Sequence, residues 1–300
     1  MLQTTRVLLP VCLMLVGAAA ASGQANVPPE KQAAIAKLIE LENPQARSYA
    51  IFSRVTDRFR DASAGMLIKG ARASGLFRKL SPKEGAELER RLRVFDEDIY
   101  AEYKTRVLHE LITSENIARG LAPIFAREFT LEELNEAIAF DQSPLGRKLL
   151  AAFPEALADS SVAVMEAKGF FAEPPSPQEA VANITRLTQE IMADPAGYVH
   201  QVFDGATPAI EKQLTPDEIK ELRAFRETSF GRRYGEIHTR LHNDSLSLFY
   251  GQRAPQAMAL MNEIQSRKIK EYMPWLDEAS RPGALRGGPK PPPGKQPAKQ

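Results

Sequence analysis

Apolar residues recur along this chain at intervals of three and four, and no stretch alternates singly for long enough to make a strand. That period belongs to helices with one covered face and one wet face. Alanine, leucine, glutamate, lysine and arginine, all good helix formers, dominate the body. The pattern predicts helices over 31–42, 45–78, 82–113, 115–127, 131–141, 144–168, 177–193, 195–211, 216–227, 229–248 and 254–273.

One device opens several of these helices. Ser81, Thr130, Ser176 and Thr215 each stand three residues before a glutamate, at Glu84, Glu133, Glu179 and Glu218. The hydroxyl can accept from the third orphaned amide of the helix, and the glutamate can reach back to the cap's own N–H. Pro82, Pro177 and Pro216 suit the first turn, where a missing N–H has no partner to lose. These hydroxyls read as caps and not as nucleophiles.

The stretch from Phe129 to Lys148, "FTLEELNEAIAFDQSPLGRK", returns in altered form as "LTPDEIKELRAFRETSFGRR" from Leu214 to Arg233. At an offset of 85 without gaps the two share Thr130/Thr215, Glu133/Glu218, Glu136/Glu221, Ala139/Ala224, Phe140/Phe225, Gly146/Gly231 and Arg147/Arg232, and Pro123/Pro208 extends the match. Duplication of a supersecondary unit explains this most economically. The unit is a bent helix. Ser143 caps a second helix that starts at Pro144, because the residue before proline is pushed out of helical geometry. Gly146 permits close approach of a neighbouring backbone, and Phe140 is expected to plug the corner. The second copy reads Thr228-Ser229 there, so it keeps the cap, loses the proline, and should bend more softly.

"GFFAEPPSP", residues 169–177, separates the copies, since Gly169 can end a helix and the prolines forbid its continuation. The expected domains are a first helical region over 26–168 and a second over 178–276, followed by a disordered tail over 277–300. Neither half alone buries much more apolar surface than its ordering costs. The halves are expected to pack on each other or to form a homo-oligomer.

The chain opens with Arg6, an apolar run from Val7 to Val16 and small residues ending at Ala25, the layout of a secretory leader covering residues 1–25. Its apolar part is short for a span, and the mature chain is expected to carry no integral membrane segment. Export places the mature protein in the periplasm or outside the cell. Cys12 is the only cysteine, so removal of the leader excludes disulfides, zinc-thiolate sites and cysteine nucleophiles. The last twenty residues carry Arg281, Arg286, Lys290, Lys295 and Lys299 with no acid, which leaves residues 26–280 at minus five. Charges scattered among prolines, with no ring to stack a base, argue against a nucleic-acid partner.

The sharpest chemical feature is His238 and His242, four apart on one helix, a spacing that lets two imidazoles reach one metal. At the offset of 85 they stand where the first copy has Phe153 and Leu157, a core-facing stripe, so buried structural histidines compete with that reading. His109-Glu110 begins like a zinc-protease helix but has Thr113 where the second histidine is required. No nucleophile elbow, phosphate loop or dinucleotide fingerprint occurs, so no cofactor is expected. Asp96, Glu97 and Asp98 read as a solvated acidic face. Phe170 and Phe171 read as core.

Phe129, Thr130, Glu132, Glu133, Leu134, Phe140, Ser143, Pro144, Gly146 and Lys148 together resemble the motif of a bacterial exported family called DUF2059, a domain of unknown function. The resemblance implies an all-helical periplasmic or secreted protein and supplies no catalytic residue. The family's second aromatic is Asp141 here and Arg226 in the repeat. The expectation is an all-α, multi-helix array built from two related bent-helix repeats, binding or scaffolding an unknown envelope partner. The alternative is a metal-dependent enzyme centred on His238 and His242.

Overall fold

The computed structural model describes residues 27–172, 177–248, 254–281 and 283, with the side chains of 177, 178, 180, 181, 184, 242–248 and 254 outside that description. The leader, the Ser176 cap and nearly all of the basic tail also lie outside the described residues. Among the described residues every regular element is an α-helix. The order is α1 (Pro29–Glu42), α2 (Pro44–Ala73), α3 (Pro82–Glu110), α4 (Ser114–Glu128), α5 (Leu131–Gln142), α6 (Pro144–Ala167), α7 (Pro177–Ala193), α8 (Pro195–Glu211), α9 (Pro216–Glu227), α10 (Ser229–Leu248) and α11 (Ala254–Ala279). No helix among the described residues is long and apolar enough to cross a membrane.

The caps form where the hydroxyl and glutamate pattern puts them. Ser81, Thr130 and Thr215 each accept from the amide three residues on, while Glu84, Glu133 and Glu218 accept from the caps' own N–H groups. Helix α2 ends five residues earlier than the period predicts. Gly75 takes φ +83, and the Leu76 amide donates to the Ala71 carbonyl at 3.2 Å, a left-handed stop that the apolar period does not register. Gly169 ends α6 in the same way, as expected. Helix α11 continues to Ala279, because Tyr272, Trp275 and Leu276 are all buried against the core, and the tail therefore begins three residues later than 277.

Two apolar clusters hold the array. The larger joins α2, α3, α6, α8 and α11 through side chains such as Phe52, Phe95, Tyr103, Leu157, Val202 and Ile264. The smaller joins α1, α4, α5 and α10 through Leu38, Phe125, Phe129, Leu134, Ile237 and Leu241. Phe170 and Phe171 belong to the larger cluster, Phe171 lying edge-on to Phe59 at 4.8 Å. The acidic run of α3 is not a common solvated face. Asp96 is buried, accepting from the Ser63 hydroxyl at 2.7 Å, and Asp98 pairs with Lys268 and Tyr272 of α11. Only Glu97 is exposed, since successive helical residues point about 100° apart.

The α5–α6 corner and the α9–α10 corner are closed alike. Ser143 Oγ accepts from the Gly146 amide at 2.9 Å, and Thr228 Oγ1 accepts from the Gly231 amide at 2.9 Å. The φ and ψ values are −64° and 161° at Ser143, and −66° and 157° at Thr228. The second corner is therefore no softer. Its threonine supplies the rigidity, donating a further hydrogen bond to the Phe225 carbonyl at 2.8 Å. A Cβ on Gly146 would stand 2.0 Å from the Phe140 carbonyl oxygen, and one on Gly231 would stand 2.0 Å from that of Phe225, so both bends need glycine. Phe140 does more than plug its own bend. It lies flat on Phe225, with ring centroids 3.8 Å apart and planes 9° from parallel.

Candidate functional site

A polar cluster interrupts the smaller apolar core. Its first part is the turn between α1 and α2, which is one residue long. Asn43 takes left-handed φ 41°, donates its amide to the Ile39 carbonyl and accepts from Ala46 N–H, ending one helix while capping the next. Asparagine tolerates that conformation and Pro44 suits the following first turn. The turn fixes Glu42 and Arg47 side by side, with Oε2 and Nη2 3.4 Å apart.

Asp141 enters from the end of α5, and Tyr234 and His238 from successive turns of α10, four residues apart on one face. The Tyr234 hydroxyl lies 3.3 Å from Glu42 Oε1 and 3.4 Å from Asp141 Oδ1. His238 Nε2 lies 3.2 Å from the same Glu42 oxygen. Phe129, Phe140, Phe225 and Phe230 ring Tyr234 at centroid separations of 5.6–6.4 Å, and the His238 imidazole is closer, at 4.4 Å. Four elements thus converge on two carboxylates, 4% exposed at the Glu42 side chain and 2% at Asp141.

The environment drives these carboxylates apart. Burial opposes the ionised form of Glu42, but His238 and Arg47 outweigh it and hold the carboxyl at about 2. Asp141 has no such cation beside it. Burial pushes it up, the Glu42 charge adds to the push, and His238, Tyr234 and Arg47 offset only part, so that it sits at about 7. Burial and the two carboxylates keep Tyr234 a phenol. One phenolic proton cannot serve both carboxylates at once. A neutral Asp141 resolves this by donating to the phenol oxygen, which then donates to ionised Glu42. With its carboxyl raised to about 7, Asp141 changes charge near neutral pH. Asp141 Oδ2 is buried with no hydrogen-bond partner among the described residues.

Of the residues that sequence reasoning singled out, His238 is in this cluster. The backbone of His242 lies one turn further along α10, and its side chain is outside the described residues. His109 and His200 are exposed on α3 and α8. Among the described residues no three histidine, cysteine, aspartate or glutamate side chains are grouped to hold a metal ion. Glu42, Arg47 and Tyr234 were not foreseen. Two signals pointed to them: the Asn43-Pro44 pair, which marks a corner, and Tyr234 at the offset of 85 from Leu149 in the core stripe.

Comparison with known families finds a match over α4 to α6. The family described as "Uncharacterized protein conserved in bacteria (DUF2059)" matches residues 115–169, which run from α4 to the end of α6, and the chain resembles that family there. No curated protein and no solved structure matches the chain. Asp141 falls inside the matched residues, and Glu42, Arg47, Tyr234 and His238 fall outside them.

Proposed function

We propose that this protein is an exported helical binding or scaffolding protein of the bacterial cell envelope. The charged and apolar layout of residues 1–25 supports export, and the resemblance to a family of uncharacterised bacterial proteins supports a bacterial setting. One observation carries the binding or scaffolding part. The buried carboxylates Glu42 and Asp141 direct their contacts at Arg47, Tyr234 and His238 of the same molecule, so this polar chemistry ties helices together. Groups spent on such internal pairs set the shape of a helical surface.

The test is fractionation of cells producing the full chain, followed by N-terminal sequencing of the product. The expected result is a mature chain beginning near residue 26 and recovered from the periplasm or medium. A chain that keeps residues 1–25 and stays in the cytoplasm overturns the reading. Elemental analysis of the purified mature chain beside a His238→Ala, His242→Ala variant separates the enzyme alternative. Stoichiometric metal that the variant loses would favour a metal-dependent enzyme over a scaffold.

A further inference from the structure

The two corners meet each other in a particular way. Lys148 Nζ of α6 lies 3.0 and 2.7 Å from the Glu218 carboxylate oxygens at the start of α9. Arg233 Nε of α10 lies 2.5 Å from Glu133 Oε1 at the start of α5. At the offset of 85, Lys148 corresponds to Arg233 and Glu133 to Glu218. The second ion pair is therefore the first with the roles of the two corners exchanged. Phe140 and Phe225 correspond to each other, and these are the rings that stack. The larger packing keeps the exchange only in outline: α6 packs broadly on α8, whereas the counterpart contact of α10 on α4 is slight, and Pro123 and Pro208 stand inside α4 and α8 at the same offset.

A contact made twice with roles exchanged, around one residue that meets its own counterpart, is the signature of a two-fold self-complementary interface. Two unrelated capped bends packed by apolar pressure alone have no reason to satisfy it at a single offset. We infer that residues 123–153 and 208–238 are two copies of one bent-helix module joined as an internal dimer. Its pseudo-two-fold axis passes between Phe140 and Phe225, so the partner each corner face fits is another copy of the same corner.

The inference stands apart from where the protein resides. It also gives the polar cluster a place in the symmetry. Tyr234 and His238 correspond to Leu149 and Phe153, which pack in the larger apolar cluster, and buried Asp141 corresponds to exposed Arg226. One of two equivalent seats is apolar and the other is polar, so the two corners differ there.

The mature sequence from residue 26 onward lacks cysteine, so introduced thiols report without background. Two variants of the full mature chain carry Glu133→Cys with Arg233→Cys, and Lys148→Cys with Glu218→Cys. All four side chains are partly exposed, and each variant removes one equivalent capping contact, that of Glu133 to the Thr130 amide or of Glu218 to the Thr215 amide. Both variants are treated with a short bifunctional thiol reagent, and free thiols and intact mass are measured. The expected result is intramolecular closure of both pairs, with loss of both thiols at comparable rates, because they are one contact used twice. Closure of one pair while the other stays open, or closure only between molecules, overturns the inference.

Discussion

Asp141 and Tyr234 face each other at 3.4 Å across the two corners, each where the opposite corner carries other chemistry, an exposed Arg226 for Asp141 and a buried Leu149 for Tyr234. A carboxyl placed there has left water without gaining a cation of its own. The cost appears as affinity for a proton, and that makes the cluster testable by pH.

Asp141 binds its proton more tightly in the fold, at about 7, than in the unfolded chain, near 3.8. Between those values the folded state holds more protons. Its contribution is fully present below the lower value and is lost as pH rises through the higher one. Asp141→Asn should therefore flatten this limb and make the protein more stable than the native chain at about pH 8, by a few kcal/mol at most. Asp96, raised to about 7 by burial beyond what Ser63 offsets, contributes in the same direction. Asp96→Asn serves as the independent second step. Urea midpoints across the pH range read both, and an Asp141→Asn chain less stable than the native one at about pH 8 contradicts the assignment.

Glu42 shows the opposite sign. Burial opposes its charge, but His238 and Arg47 prevail and hold it at about 2 against an ordinary 4.5. Its contribution is present above the ordinary value and disappears as acid titrates it toward the lower one. Glu42→Gln should destabilise the chain at neutral pH, by about 3 kcal/mol, because it leaves Arg47 without its partner in a shielded place. The same variant should lose the steepest part of its acid unfolding. Tm followed by circular dichroism from neutral pH downward checks both.

Much of the fold was legible because its signals are local. Each capped start depends on four residues, and Gly169 stopped α6 as a lone glycine should. Gly75 carried the same information, yet the apolar period ran past it, since periodicity registers the covered face and not the backbone sign at the stop. The site was legible only in part. His238 stood out by its spacing to His242, whereas its partner Glu42 lies almost two hundred residues away, brought there by a one-residue turn at Asn43. Asp141 drew attention as a departure from a motif, and nothing local showed that it would be buried beneath Tyr234. Asp96 misled for a related reason: three successive acids look like one face in a string and occupy three directions on a helix.

The helical glycines divide into two kinds. Gly146→Ala or Gly231→Ala drives a Cβ into a backbone carbonyl that cannot move without opening the bend, and either should cost about 2–4 kcal/mol and lower Tm. Gly70 of α2 and Gly235 of α10 are exposed, and a Cβ there meets nothing within 4 Å. Alanine at each should stabilise by about 0.5–1 kcal/mol through the unfolded chain's lost freedom. Denaturant midpoints of the four single variants should fall on opposite sides of the native value. A tolerated Gly146→Ala would mean that the corner is looser than its caps imply.

Helix α11 offers the clearest local reading of stability, because it carries Trp275, the only tryptophan. Arg91 of α3, 4% exposed, holds α11 in three ways: Nη1 donates to the Trp275 carbonyl at 2.7 Å, the guanidinium lies 4.8 Å from the indole centroid, and Nη1 lies 3.6 Å from Glu278 Oε2. Truncation takes the side-chain donor from the Trp275 carbonyl, removes the cation from the ring and leaves Glu87 and Glu278 without their partner, so Arg91→Ala should cost about 3–5 kcal/mol. Arg91→Met restores apolar volume but no donor and should recover part of that loss. Since the contacts to Trp275 and Glu278 join α11 to α3, the indole should become wet before the remaining helices melt. In Arg91→Ala the tryptophan emission is expected to shift at lower denaturant than the helical circular dichroism signal, while the two coincide in the native chain. Coincident transitions in the variant, displaced together, would show instead that α11 unfolds only with the whole array and that Arg91 supports the core cooperatively.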